Sequence, residues 1–423
     1  MKKDKNNLRY LAYEAVYEVM FQQAYSNLLL QEKLNQLSDR DKGLVTKIVY
    51  GTIQNFDLLK FQLTQVKYQK ISNKQLIIIL ISLYQRHFLD KVPGYAIVAE
   101  ALKVSQMILD QYQTKFISAL LNKLINLELL YCVDKDEDTN LAINYSHPLW
   151  YIKMVKKQYG KEMLLKIIKA DNEEALIHLR YNIRSHSWTE LLKDDLIKQS
   201  FVSETGLYYC GKDIANYYAY QQGLVSVQDF SSQAVALFLN PQPLMKVLDM
   251  CAAPGTKTTH LAELMDNQGL IKAYDIYEHK IQLIKQEAKR LKLDIIEANC
   301  CDATRLDDKE EAESFDMILC DALCTGLGVI KRKPEIKYQD IAKSMDYIIE
   351  VQKKLLKQAY RLLKKGGTLV YSTCTINKKE NEQQIKSFLA QHADLKLSEE
   401  RLIFNFEFGG DSFYLAKIIK NDK

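Results

Sequence analysis

A chain of 423 residues with 47 % hydrophobic content and a net charge of +5 has room for two or three packed domains and permits, without demanding, a nucleic-acid partner. Its longest apolar run, Leu76 to Leu83, is about two helical turns, too short for a bilayer, and the basic N-terminal MKKDKNNLRY has no apolar stretch behind it, so neither a membrane span nor a secretory leader is expected. Eight cysteines are too sparse for a disulfide scaffold, and Cys300, Cys301, Cys320 and Cys324 lack paired Cys-x-x-Cys units, so no metal site is expected and the reading is a soluble, cytoplasmic monomer.

Residues 8 to about 128 read as all-helical. Leu8, Leu11, Ala12, Ala15, Val16 and Val19 recur at three and four, the mark of one buried helix face. The spacing returns at Ile97, Ala101, Val104 and Ile108, just after the Pro93-Gly94 break, and again at Ile117, Leu120, Leu121 and Leu124. Residues 1–130 hold seventeen Lys or Arg against eleven Asp or Glu. The acidic stretch from Asp134 to Asp138 has no periodicity and reads as a linker. Next, His178–Ile183 alternates like a strand, Ser187 opens a helix to about Gln199, and Leu207–Cys210 and Leu224–Val227 read as strands, together a small α+β module.

From about residue 228, strands and helices alternate. Lys246–Met250, Leu270–Ile276, Asp294–Asn299, Phe315–Ala322 and Thr368–Cys374 are strand-like, with helical segments between, which predicts a parallel sheet covered on both faces. A last strand, Phe413–Ile418, is expected to close the sheet edge. Basic clusters at Lys153/Lys156/Lys157/Lys161, Lys331/Arg332/Lys333 and Lys378/Lys379 read singly as solvated faces.

The first strand of this region runs into Cys251-Ala-Ala-Pro-Gly255-Thr-Lys257. In open α/β sheets, ligands bind beyond the carboxyl ends of the strands, where a tight turn of small residues lets them approach the backbone. A Walker loop needs Gly directly before Lys and another Gly five residues earlier; here Thr256 separates Gly255 from Lys257, and the position five before Gly255 is Met250. The dinucleotide Gly-x-Gly-x-x-Gly is also absent. Asp275, at the end of the second strand, suits a ribose diol. Asp302 follows the third strand and Asp321 stands near the end of the fourth.

These blocks carry a resemblance. CAAPGTK, residues 251–257, is similar to the CAAPGGK loop of RNA 5-methylcytosine methyltransferases, with Thr256 in place of a Gly. Asp321 through Tyr338 resembles the family's DAPCSGxGxxRRxPDIKW, Tyr371–Thr375 its YSTCT, Val227–Gln233 its VQDxSSQ, and Asp411–Lys417 its DGFFxAK. Upstream, Ser146-His-Pro-Leu-Trp150 and the stretch from Asn172 to Asn182 resemble the small domain before the catalytic one. Asp39-Arg40, Val49-Tyr50-Gly51-Thr52 and Val92-Pro93 resemble a NusB-like RNA-binding domain, although Asn122 stands where its Arg would be. The combination resembles the bacterial RsmB/Sun family of 16S ribosomal RNA methyltransferases.

The resemblance implies an all-α NusB-like domain (1–132), a linker (133–144), a small α+β module (145–227) and an α/β Rossmann-like methyltransferase domain (228–423). It implies S-adenosylmethionine as cofactor, held by Cys251, Ala252, Ala253, Pro254, Gly255, Thr256, Lys257, Asp275, Asp302 and Asp321, and 16S ribosomal RNA as partner. It also assigns Cys374 as nucleophile, Cys324 as the helper in product release and Asp321 as hydrogen-bond partner of the cytosine ring. The chemistry asks for such a set. Cytosine C5 is a poor nucleophile until a thiolate adds at C6, after which the C5 proton and the thiol must leave. Leu323 departs from the family's Pro and leaves the Cys324 loop freer in φ. Two other readings stay open: a different acceptor, such as tRNA cytidine, and a non-enzymatic RNA-binding factor with a relict site.

Overall fold

Strong local signals start the helices at the amino end. In this computed structural model, which describes residues 7–422 except 69, 135, 201 and 212, seven helices run from Leu8–Gln22 through Gln111–Leu124. The basic residues of segment 1–6 lie outside the described residues. Asn7 and Ser38 cap their helices, and Ser72 with Gln75 and Asp110 with Gln113 form capping boxes that satisfy first-turn N–H groups. The helix Asn73–Phe88 is the hub: Ile77 through Leu80 are all fully buried, because neighbouring helices cover every face. The stretch expected as a linker carries a further helix, Glu137–Asn144, capped by Asp136.

The described residues divide into two units, one of residues 1–173 with 330–339 and one of residues 174–329 with 340–423. The short segment 330–339 is therefore built into the helical unit. Glu335 accepts from Ser26 N (3.1 Å) and Ser26 Oγ (3.0 Å), capping the helix Ser26–Lys33. Lys337 donates to Gln54 O (2.8 Å), and Tyr338 packs on Phe56. Burial lowers the Lys337 pKa to about 7, against the opposing charges of Asp171 and Asp57. Lys331 is also buried and pairs with Glu173 (3.3 Å), so the first residue of this basic cluster does not lie on the solvated face its composition suggests, whereas Lys333 is exposed.

The second unit opens with a four-stranded antiparallel sheet: β1 (Ile177–Tyr181), β2 (Ile197–Gln199), β3 (Gly206–Tyr209) and β4 (Val225–Val227), in the order β2-β3-β1-β4. The helix expected from Ser187 to about Gln199 spans only Trp188–Leu191. The polar remainder reaches β2, whose outward positions need no apolar alternation.

Seven strands then form one mixed sheet: β5 (Lys246–Asp249), β6 (Leu270–Asp275), β7 (Ile296–Cys300), β8 (Phe315–Asp321), β9 (Leu363–Thr373), β10 (Leu395–Ile403) and β11 (Phe413–Lys420). The order is β10-β11-β9-β8-β5-β6-β7. β7, β6, β5, β8 and β9 are parallel; β11 runs antiparallel to both β9 and β10. The expected final strand is present but does not close the sheet: β10 lies outside it. Strand order reverses between β5 and β8, the switch point where a ligand crevice opens at the carboxyl ends.

Candidate active site

The loop after β5 forms one wall of the site. Residues Cys251 to Gly255 turn through a cis Ala253–Pro254 peptide. Gly255 has φ of +107°, and a Cβ there would stand 3.1 Å from Ile284 Cα, so both conformation and space demand glycine. Thr256 and Lys257 open the helix Thr256–Leu264, whose first-turn N–H groups lie at the carboxyl end of β5. Thr258 Oγ1 donates to the buried Asp249 (2.7 Å). Burial, with Asp321 adding to it and the Thr258 bond opposing, raises the Asp249 pKa to about 7.

The carboxylates follow from the sheet. Asp275 ends β6 and accepts from Tyr277 N (3.2 Å), with Lys280 Nζ 3.7 Å away. Asp302, just past β7, accepts from Thr304 N (2.9 Å) and Thr304 Oγ1 (2.7 Å), and so holds its own turn. Asp321 ends β8. Its two oxygens are fixed by Ser372 Oγ, directly opposite on β9 (2.7 Å), and by Lys257 Nζ from the loop (2.7 Å). Burial disfavours the Lys257 charge, but the Asp321 carboxylate outweighs it and holds the ammonium above its ordinary value. Lys257 also lies over the Phe413 ring of β11.

β8 and β9 are hydrogen-bonded neighbours, so the residues that follow them emerge side by side. Cys324 Sγ and Cys374 Sγ are 3.3 Å apart. Gly328 N donates to Cys374 O (2.9 Å), and a Cβ on Gly328 would press within 2.8 Å of that oxygen, so the approach of the two loops needs glycine there. The hydrogen bond to Cys374, then burial, then the charges of Cys374 and Glu380 push the Cys324 thiol well above its ordinary range. The contact leaves open which of the two thiols donates. The Cys251 thiol is also driven up, first by burial and then by the charges of Asp249, Asp321 and Asp275. The Leu323 carbonyl accepts from Gln352 Nε2 (2.9 Å).

The structure thus gathers Lys257, Asp321, Cys324 and Cys374 at the ends of adjacent strands, with Asp275 and Asp302 at the ends of β6 and β7. Val227–Gln233 plays a different part. Asp229 caps the helix Phe230–Leu239 and pairs with His178 (2.9 Å), whose ring stacks on Phe230, while Gln233 donates to Leu179 O (3.1 Å). Arg180, within the strand-like stretch His178–Ile183, is fully buried. It forks onto Glu263 (Nε 3.0 Å, Nη2 2.7 Å) and donates to Thr256 O (2.8 Å), tying β1 to the loop helix. A lone Arg in a strand-like stretch gives no signal of this from sequence.

Residues 236–413 match the family described as 16S rRNA methyltransferase RsmB/F, residues 6–126 match the NusB family, and residues 147–204 match the ferredoxin-like domain of RsmF/B-like methyltransferases. The chain is 37 % identical to the probable ribosomal RNA small subunit methyltransferase B of Bacillus subtilis, across 98 % of this chain and 99 % of that one. It is 31 % identical to the ribosomal RNA small subunit methyltransferase B of Shewanella oneidensis, across 98 % and 99 %. The crystal structure of PH0851 superposes with a TM-score of 0.82 at 25 % identity, covering 99 % of this chain and all of that one. The chain therefore belongs to the RsmB/F family of S-adenosylmethionine-dependent 16S ribosomal RNA methyltransferases.

Proposed function

We propose that this protein methylates C5 of a cytidine in 16S ribosomal RNA through a covalent bond between Cys374 and C6 of the base. The observation that carries this reading is the pair of thiols 3.3 Å apart beside a carboxylate fixed by Lys257. S-adenosylmethionine fits the donor set at the strand ends. Residues 251–257 would lie along it, and Asp275 offers a carboxylate to a ribose diol. Asp302 stands at the next strand end, where the adenosine would extend. When bound, the cofactor supplies an electrophilic methyl group.

The residues then divide the remaining work. Cys374, as its thiolate, attacks C6, forming the S–C6 bond and breaking the C5–C6 π bond, whose electrons spread over C5, C4 and N3 and make C5 nucleophilic. Asp321 accepts from the exocyclic amine and holds the base, its own oxygens fixed by Ser372 and Lys257. After methyl transfer, the C5 proton leaves to a base, the C6–S bond breaks and the double bond returns. Cys324 serves this release, as the resemblance assigns. The target must be unpaired or flipped out to reach these groups. The helical unit, with its excess of Lys and Arg, supplies affinity for the RNA backbone.

Mapping 5-methylcytidine in RNA from cells with and without the gene tests this reading. Loss of one 16S position on deletion, restored by the wild-type chain, is expected. Loss confined to tRNA would overturn the acceptor, and no loss anywhere would overturn the chemistry.

A further inference from the structure

Glu380 is fully buried between the two cysteine loops. Its Oε2 accepts from Thr325 N (2.8 Å) and Gln352 Nε2 (3.4 Å). Its Oε1 accepts from Thr325 Oγ1 (2.6 Å), Asn377 Nδ2 (3.1 Å) and Thr375 Oγ1 (3.4 Å). Thr325 follows Cys324 and Thr375 follows Cys374, so one carboxylate grips the residue after each thiol. The two threonine hydroxyls are themselves 3.0 Å apart. Gln352 extends the grip to the residue before Cys324 by donating to Leu323 O (2.9 Å). The next residue, Asn381, completes the frame: it accepts from Thr373 Oγ1 (2.6 Å) and donates to Thr375 O (2.8 Å), holding both neighbours of Cys374. The Glu380 carbonyl accepts from Tyr371 OH (2.8 Å), which anchors the group to β9.

A buried carboxylate is costly unless donors surround it, and a saturated network in a low-dielectric interior is rigid. Here the donors come from both thiol-bearing loops, whose backbones are otherwise joined, past the last residue of β8, by Ala322 N to Ser372 O (2.8 Å) and Gly328 N to Cys374 O (2.9 Å). We propose that Glu380 is a positioning residue whose carboxylate sets the spacing and orientation of the Cys324 and Cys374 thiols at the base. The proposal rests on the reading that these two cysteines attack and release a cytosine. Glu380 acts through Thr325 and Thr375, so its loss should disturb the thiol pair and leave the cofactor loop alone.

The test uses the full chain as wild type, Glu380→Gln, Thr325→Val and Thr325→Ser. Three quantities are measured: S-adenosylmethionine affinity, single-turnover 5-methylcytidine formation at saturating RNA, and the rate at which diamide links Cys324 to Cys374. In Glu380→Gln, an amide NH2 replaces one acceptor and faces donors. Its cofactor affinity should be unchanged, while methyl transfer falls roughly a hundredfold, the scale of a misplaced reacting group, and the linking rate changes with it. Thr325→Val should show the same defect and Thr325→Ser should restore both rates. If Glu380→Gln loses cofactor binding and hence its fold, the Thr325 pair decides. Wild-type rates of transfer and linking in a folded Glu380→Gln, or in Thr325→Val, would overturn the proposal. A wild-type chain that forms no 5-methylcytidine, with linking still sensitive to Glu380, would sink the reading of the reaction and leave the positioning role standing.

Discussion

Cys324 Sγ lies 3.3 Å from Cys374 Sγ, at the ends of two hydrogen-bonded strands. Closing that gap to the roughly 2.05 Å of a disulfide requires little movement. Diamide should therefore take two electrons from the pair, forming a Cys324–Cys374 bond and releasing two protons, and methylation should stop until dithiothreitol restores it. Peptide mass spectrometry checks the link. Oxidation that modifies other cysteines and leaves these two as thiols would contradict the geometry.

Asp275 closes β6 at the place a ribose diol would occupy. Asp275→Ala should weaken S-adenosylmethionine binding by about 1.5–3 kcal/mol, or roughly ten- to a hundredfold, the value of charge-assisted hydrogen bonds. Calorimetry on the folded variant decides. Wild-type affinity would remove Asp275 from the cofactor site.

Asp249 carries a folded-state pKa of about 7, above its ordinary 3.8, chiefly through burial. A raised carboxyl pKa means that folding takes up a proton between those values. Its contribution to stability is full below the ordinary value and is lost as pH rises through about 7. Asp249→Asn should flatten the fall in stability between about pH 4 and pH 7, by at most about 1.4 kcal/mol per pH unit. Urea denaturation across that range gives the slopes. Equal slopes for variant and wild type would show that Asp249 does not take up the proton.

Arg180 and Glu263 form a fully buried fork that joins the small sheet to the loop helix. Removing one partner strands a buried charge, so Arg180→Met should cost about 3–5 kcal/mol. The double change Arg180→Met with Glu263→Leu should recover part of it. A single-variant loss below about 1 kcal/mol in denaturant titration would mean the pair is not carrying this junction.

Most of the parallel sheet was legible because buried strands keep their apolar runs between helices. β10 was not: LKLSEERLI faces water along most of its length, and an edge strand needs no alternation on an open side. Cys324 and Cys374 were legible through the matched blocks that hold them, whereas the frame around them was not. Lys378/Lys379 reads as a solvated face, yet the next two residues, Glu380 and Asn381, are fully buried by loops distant in sequence. Lys331/Arg332/Lys333 misled in the same way at Lys331, which is buried against Glu173, and the residues after the cluster make their bonds through Glu335 to Ser26 and Lys337 to Gln54. Nothing local in a charged run distinguishes a surface from a buried network; long-range pairing decides.

The assignment of roles to the two cysteines is tested most directly on a denaturing gel. Cys374→Ala and Cys324→Ala, each incubated with RNA and S-adenosylmethionine, should look alike in a turnover assay, since neither completes the cycle. Cys324→Ala can still attack C6 and accept the methyl group, and should stall as a slow-migrating protein–RNA adduct. Cys374→Ala and the double variant should show none. An adduct on Cys374→Ala would reverse the roles, and no adduct with either would contradict covalent catalysis at this site.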